Sequence, residues 1–149
     1  MKLQKIKLQM IKEQQAIYYL DPITTPKDIV NFVNSQEHYD LATTEHIIVI
    51  GLDTKNKVNI YTEVATGATG YTNFKMAEVF KSLLLSNSSK FILAHNHPSG
   101  DATPSKEDMQ VTAQVEEASK LMGLTFLDHI IITDNNYTSI MSEKAKEVK

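Results

Sequence analysis

His95 and His97 are separated by one residue at the end of an apolar run, Phe91-Ile92-Leu93-Ala94, and a carboxylate, Asp108, follows a short loop rich in Pro, Ser and Gly. On a strand, side chains alternate, so the two imidazoles point to one side and can chelate one ion. Thr103-Pro104-Ser105-Lys106-Glu107-Asp108 opens a helix in which Val111, Val115, Ala118 and Met122 recur with helical period after Asp108. The acid therefore shares the apolar stripe, where an ionised carboxylate is costly unless it is paired or binds a metal. Glu107 does not share that stripe. Two imidazoles and one carboxylate leave one position open on a tetrahedral zinc ion, which is the pattern of catalytic sites. Zinc lowers the pKa of a water in such a position from about 15.7 to roughly 7.

Hydrolysis by that route needs a general base. Glu63 is the candidate: it ends the second strand of a hairpin in Ile60-Tyr61-Thr62-Glu63-Val64, an unusual setting for a carboxylate among β-branched residues. Glu78 falls on the polar side of its helix, and Glu45 precedes a strand at the surface. Ser105 and Asp108 also have the spacing of a capping box, in which serine and acid satisfy the first amides of a helix. The helix N-terminus so defined presents positive dipole density toward an anion or oxyanion. His129 follows Asp128, and such a pair can orient a metal ligand, but a structural or surface role is the simpler reading. His38 and His46 read as surface residues, and Tyr18-Tyr19 as core aromatics of a flanking strand.

The elements that must hold these residues form an alternating α/β pattern. Ile6, Leu8 and Met10 alternate with polar residues and suggest a first strand. Thr25-Pro26-Lys27-Asp28 gives an N-cap, an N1 proline and a first-turn acid to a helix burying Ile29, Val30 and Val33. A hairpin runs from His46 to Leu52 and Val58 to Ala65 around Asp53-Thr54-Lys55-Asn56. Phe74 to Leu85 has helical period, and the strand into His95 follows. A long helix spans about Pro104 to Met122 and ends at Gly123. Leu124 to Thr133 and Tyr137 to Met141 read as closing strands, and Ser142 to Lys149 as a charged, fraying tail.

The 149 residues, 42% of them hydrophobic, suit one domain. With no cysteine, thiolate zinc sites and disulfides are excluded. No apolar run approaches the length of a membrane helix. The basic N-terminus alternates with polar residues where a signal peptide needs a continuous apolar segment, so a cytoplasmic protein is expected. The net charge is −3 and all 15 basic residues are lysines. Both facts weigh against nucleic-acid binding, for which arginine's planar fork is the usual reader.

Glu63, His95-x-His97 and Ser105-x-x-Asp108 together resemble the JAMM signature of the JAB1/MPN metalloproteases, and His95-Asn96-His97-Pro98-Ser99-Gly100 with Pro104-Ser105 is similar to its RadC-like branch. The resemblance covers about residues 25–143, including the Leu52-Asp53-Thr54-Lys55-Asn56 turn and Leu127-Asp128-His129-Ile130-Ile131-Ile132. It implies a single-domain α/β fold of the three-layer, cytidine-deaminase-like type, with a mixed sheet flanked by helices. Residues 1–24 would form an N-terminal strand segment packing on this domain and 144–149 a charged tail. It further implies Zn2+ held by His95, His97 and Asp108, Glu63 as activator of the attacking water, and Ser105 as oxyanion stabiliser. The reaction would be hydrolysis of a peptide or isopeptide bond in a protein substrate. A DNA-repair-associated accessory role and a non-catalytic scaffold are the alternatives. Full-length RadC-type proteins carry a helix-hairpin-helix region before the metal domain; the 45 residues preceding the hairpin have no glycine, and no such region is expected in them. Ala65-Thr66-Gly67-Ala68-Thr69-Gly70 also lacks the bulky and basic residues expected of RadC-like chains at that place.

Overall fold

Residues 21–67 and 74–147 are described in the computed structural model of the chain. The expected strand at Ile6–Met10, the Tyr18-Tyr19 pair and Ala68–Gly70 lie outside them. Five strands, β1 (Glu45–Leu52), β2 (Val58–Gly67), β3 (Lys90–Asn96), β4 (Thr125–Ile132) and β5 (Tyr137–Ser139), form one mixed sheet in the order β2-β1-β3-β4-β5. β3 and β4 are parallel and the other neighbours antiparallel. Four helices flank it: α1 (Pro26–Gln36), α2 (Met76–Leu85), α3 (Lys106–Met122) and α4 (Ile140–Glu147).

Both sheet faces are covered. Ile48, Ile50, Leu52, Ile92, Ala94, Ile130 and Ile132 pack with α1 residues Ile29, Val30, Phe32 and Val33. The alternate residues Ile47, Val49, Phe91 and Leu93 pack with Val79, Phe80 and Leu83 of α2 and Val111 and Val115 of α3. Two-sided coverage explains why the central strands read as continuous apolar runs. Fully burying one such aliphatic or aromatic side chain is worth about 1.5–3 kcal/mol, so β3 is anchored from both sides. Its last residues are positioned by that anchoring.

Local sequence sets the element ends. Thr25 accepts the Asp28 amide, while the Asp28 carboxylate accepts the backbone amides of Thr24 (2.9 Å) and Thr25 (2.8 Å). Those bonds hold the Asp28 carboxyl below its usual range. In the hairpin turn, Asp53 Oδ1 accepts the amides of Lys55 (2.7 Å) and Lys57 (2.9 Å), and Asn56 takes a left-handed φ of 62°. Gly123 closes α3 at φ 68°.

Two expectations are corrected at the C-terminal end. The last strand stops at Ser139, and residues 140–147 form α4 where a strand end and a fraying tail were expected. Ile140 is fully buried against Ile131 and Ala102, and Lys144 pairs with Glu116 of α3 at 3.2 Å. The buried Asp128 carboxylate joins the two segments by accepting the Ser139 hydroxyl (2.6 Å) and the Met141 amide (3.1 Å). On α3 the apolar stripe also drifts: Met122 is 42% exposed, while Thr112 and Ser119 are buried.

Candidate metal centre

β3 delivers His95 on the face of α2 and α3, in line with Phe91 and Leu93. His97 lies just past the strand but continues its pairing, donating its amide to the Ile132 carbonyl at 2.9 Å. Its ring therefore stays on the side of His95. The chain then turns at Gly100, whose φ is 79° and whose amide reaches the His97 carbonyl at 3.1 Å. α3 begins at Ser105, and its first turn brings Asp108 beneath the two imidazoles. Ser105 Oγ accepts the Asp108 amide at 3.1 Å, and Asp108 Oδ2 accepts the Ser105 amide at 2.5 Å. The capping box and the candidate metal ligand are thus the same carboxylate used twice.

His95 Nε2 stands 3.1 Å from Asp108 Oδ1, and His97 Nε2 stands 3.5 Å from Asp108 Oδ2. The two Nε2 atoms are 2.8 Å apart. Asp108 is fully buried, His95 1% exposed, and the His97 side chain 13% exposed, so the cluster opens to solvent only past His97. The Asp108 carboxylate bonded to it raises the His97 pKa above the ordinary imidazole value, against burial; the Asp101 carbonyl and the charge of Glu45 act in the same sense.

The donor chemistry fits a cation. His97 Nδ1 faces the Asp101 carbonyl at 2.8 Å, and a carbonyl only accepts, so in the neutral ring the hydrogen sits on Nδ1 and Nε2 is a bare lone pair. Ligand atoms of His95, His97 and Asp108 all lie within 4.8 Å of one another. Bare nitrogens and carboxylate oxygens at such separations repel unless a proton or a metal ion lies among them. Two neutral imidazoles and one carboxylate are a donor set that suits zinc.

The residues behind these three side chains are equally ordered. His95 Nδ1 lies 2.8 Å from His129 Nε2, and His129 Nδ1 lies 2.7 Å from Thr112 Oγ1. Thr112 Oγ1 donates to the Asp108 backbone carbonyl at 2.6 Å. His129 is fully buried, and that burial holds its pKa well below the ordinary value. The surface alternative for His129 is therefore excluded. Nor does Asp128 orient its ring, since that carboxylate accepts the His129 backbone amide at 2.8 Å.

Glu63 is not brought to this cluster. It pairs with Ile48 across β1 and β2, on the α1 face, and its Oε2 lies 2.7 Å from His46 Nδ1. His46, expected at the surface, is half-buried: its ring packs 5.2 Å from that of Tyr39, and its Nε2 lies 3.0 Å from Thr44 Oγ1. The carboxylate on the face of the His95–His97–Asp108 cluster is Glu45, which alternates with Ile47 and Val49, and Ile47 lies directly opposite His95. The expected placement of Glu78 holds: its side chain is half-exposed and pairs with Lys81 of the same helix. A groove of about 460 Å³ adjoins the cluster, lined by Asp40–Thr43, His97–Gly100 and Asp134.

A profile of the RadC-like JAB domain family matches residues 23–146. The chain belongs to that family. A UPF0758 protein of Staphylococcus haemolyticus is 41% identical over 121 residues, which are 81% of this chain and 52% of that protein. A UPF0758 protein of Chloroflexus aurantiacus is 39% identical over 128 residues, 85% of this chain and 55% of that protein. One of Methanosarcina mazei is 40% identical over 121 residues, again 81% and 52%. This RadC-like chain thus spans about half the length of these relatives. Among its described residues, no helix is long and apolar enough to cross a membrane.

Proposed function

We propose that the chain is a zinc-dependent hydrolase of the JAMM type acting on a peptide or isopeptide bond in a protein substrate. The observation that carries this reading is the convergence of two imidazole Nε2 atoms and a fully buried carboxylate, open to solvent on the His97 side. His95, His97 and Asp108 would hold the ion. When bound, zinc supplies a polarised scissile carbonyl and water acidic enough to attack at neutral pH. Glu45, on the same sheet face, takes the proton of the attacking water and passes it to the leaving amine; this role passes to it from Glu63 because Glu63 is engaged by His46 on the other face. Ser105, at the N-terminus of α3, offers its hydroxyl to the oxyanion that develops on the carbonyl oxygen. The adjoining groove gives an extended substrate segment a place to lie.

Elemental analysis of the full chain, purified without added metal and again after zinc addition, tests the reading. One ion per chain in the wild type and its loss in His97→Ala are expected. No stoichiometric ion in either wild-type sample would overturn it.

A further inference from the structure

We propose that His129 is a positioning residue of the metal centre, fixing through a hydrogen-bond circuit closed on Asp108 which nitrogen of His95 is presented to the ion. The proposal rests on the function inferred above and concerns residues that supply no ligand themselves.

The direction of every bond in the circuit follows from its far end. The Asp108 carbonyl can only accept, so the single hydroxyl hydrogen of Thr112 is committed to it at 2.6 Å. Thr112 Oγ1 is then left to accept, and at 2.7 Å its donor is His129 Nδ1–H. A neutral imidazole has one N–H, so His129 Nε2 is bare and accepts from His95 Nδ1–H at 2.8 Å. His129 is kept neutral by its surroundings: it is fully buried, and the nearest acid in sequence, Asp128, spends its carboxylate on the His129 and Met141 amides and the Ser139 hydroxyl. His95 therefore carries its hydrogen on Nδ1 and turns a bare Nε2 toward Asp108 and His97.

The same circuit ties three elements that must agree for the ion to bind. His95 belongs to β3, His129 to β4, and Thr112 and Asp108 to successive turns of α3. His129 also pairs with Leu93 in the parallel ladder, two residues before His95. A side chain that only filled space at position 129 would hold the elements together but would leave the His95 tautomer and ring angle unfixed. Outer-shell partners of metal-bound histidines are typically worth about 10–100-fold in metal affinity.

The test is zinc competition against a chromogenic chelator with the full chain, comparing wild type with His129→Leu, His129→Gln and Thr112→Val, each checked for folding by circular dichroism. His129→Leu is expected to weaken zinc binding about 10–100-fold. His129→Gln, whose side-chain oxygen can accept from His95, should recover most of that loss. A folded His129→Leu protein with wild-type zinc affinity would overturn the proposal. Should His129→Leu fail to fold, Thr112→Val carries the same comparison, and wild-type affinity in it would be equally fatal. Nitrogen-15 imidazole spectra of the wild type add a readout independent of binding: both His129 and His95 should be protonated on Nδ1, and a hydrogen on His129 Nε2 overturns the circuit. Absence of zinc binding in the wild type would instead count against the function proposed above, so the two failures are distinguishable.

Discussion

A general base must reach the attacking water, and on a sheet that reach is decided by parity. Glu45 is two residues from Ile47, which faces His95 across the ladder, whereas Glu63 pairs with Ile48 on the opposite face. Glu45→Gln is expected to lower hydrolysis of any model peptide the wild type cleaves by about 10²–10⁴-fold while zinc stoichiometry is unchanged. Glu63→Gln should alter turnover little, and the opposite pattern in steady-state assays would return the role to Glu63. A second expectation concerns acid. His97 is raised above the ordinary imidazole value chiefly by its bond to Asp108, and the proton and the metal compete for the same lone pair. Zinc affinity should therefore fall as pH drops, and the fall should begin above about 6.5, the ordinary histidine value. Competition titrations across that range check it; an affinity that stays flat down to that value would contradict it. Asp108 was legible in the sequence because helical period places it on an apolar stripe. Glu45 was not, because Ile47 to Ile50 are apolar on both faces and alternation gives no parity. His129 sat in a similar two-sided run, where only its burial signals that a polar side chain must have partners.

Gly51 shows how tightly β1 is held between β2 and β3. A Cβ there would stand 2.2 Å from Ser88 Oγ and 2.7 Å from Ile60 Cγ2. The serine cannot easily yield, because its hydroxyl bonds Asn59 Oδ1 (2.9 Å) and Ser86 Oγ (2.7 Å), joining β2 to the segment that links α2 and β3. Gly51→Ala should destabilise the fold by about 1–3 kcal/mol, read as a lower urea midpoint with an unchanged slope. An unchanged midpoint would mean that this connection is softer than its geometry implies. Elements whose ends are set locally, such as α1 with its Thr25–Asp28 box and α3 from Ser105 to Gly123, are visible in sequence. α4 was not, since its start depends on Asp128 bonding to Ser139 and Met141 and its charged face on Lys144 meeting Glu116. Those are contacts between segments far apart in the chain, and no local composition announces them.

The proposed metal ligands come from β3, the loop after it and α3, and His129 behind them from β4, so the cluster exists only when the sheet and its covering helix are assembled. An unfolded chain has no comparable cluster, because its two closely spaced histidines lack the buried carboxylate that completes it. Metal binding is then linked to folding: an ion at about 100 times its dissociation constant adds roughly 2.7 kcal/mol to stability. For a chain of 149 residues this corresponds to a rise in melting temperature of roughly 5–10 °C. Without an ion, the fully buried Asp108 must be neutralised by a proton on His97, whose pKa the Asp108 bond raises, and that arrangement is lost as pH rises past it. Chelator treatment should therefore lower the melting temperature by that amount at mildly alkaline pH and by less under acid conditions, where protons substitute for the metal. His97→Ala should melt at one temperature with or without chelator. Scanning calorimetry with and without chelator measures both, and a wild-type transition indifferent to chelator after zinc loading would separate the metal from the stability of the domain.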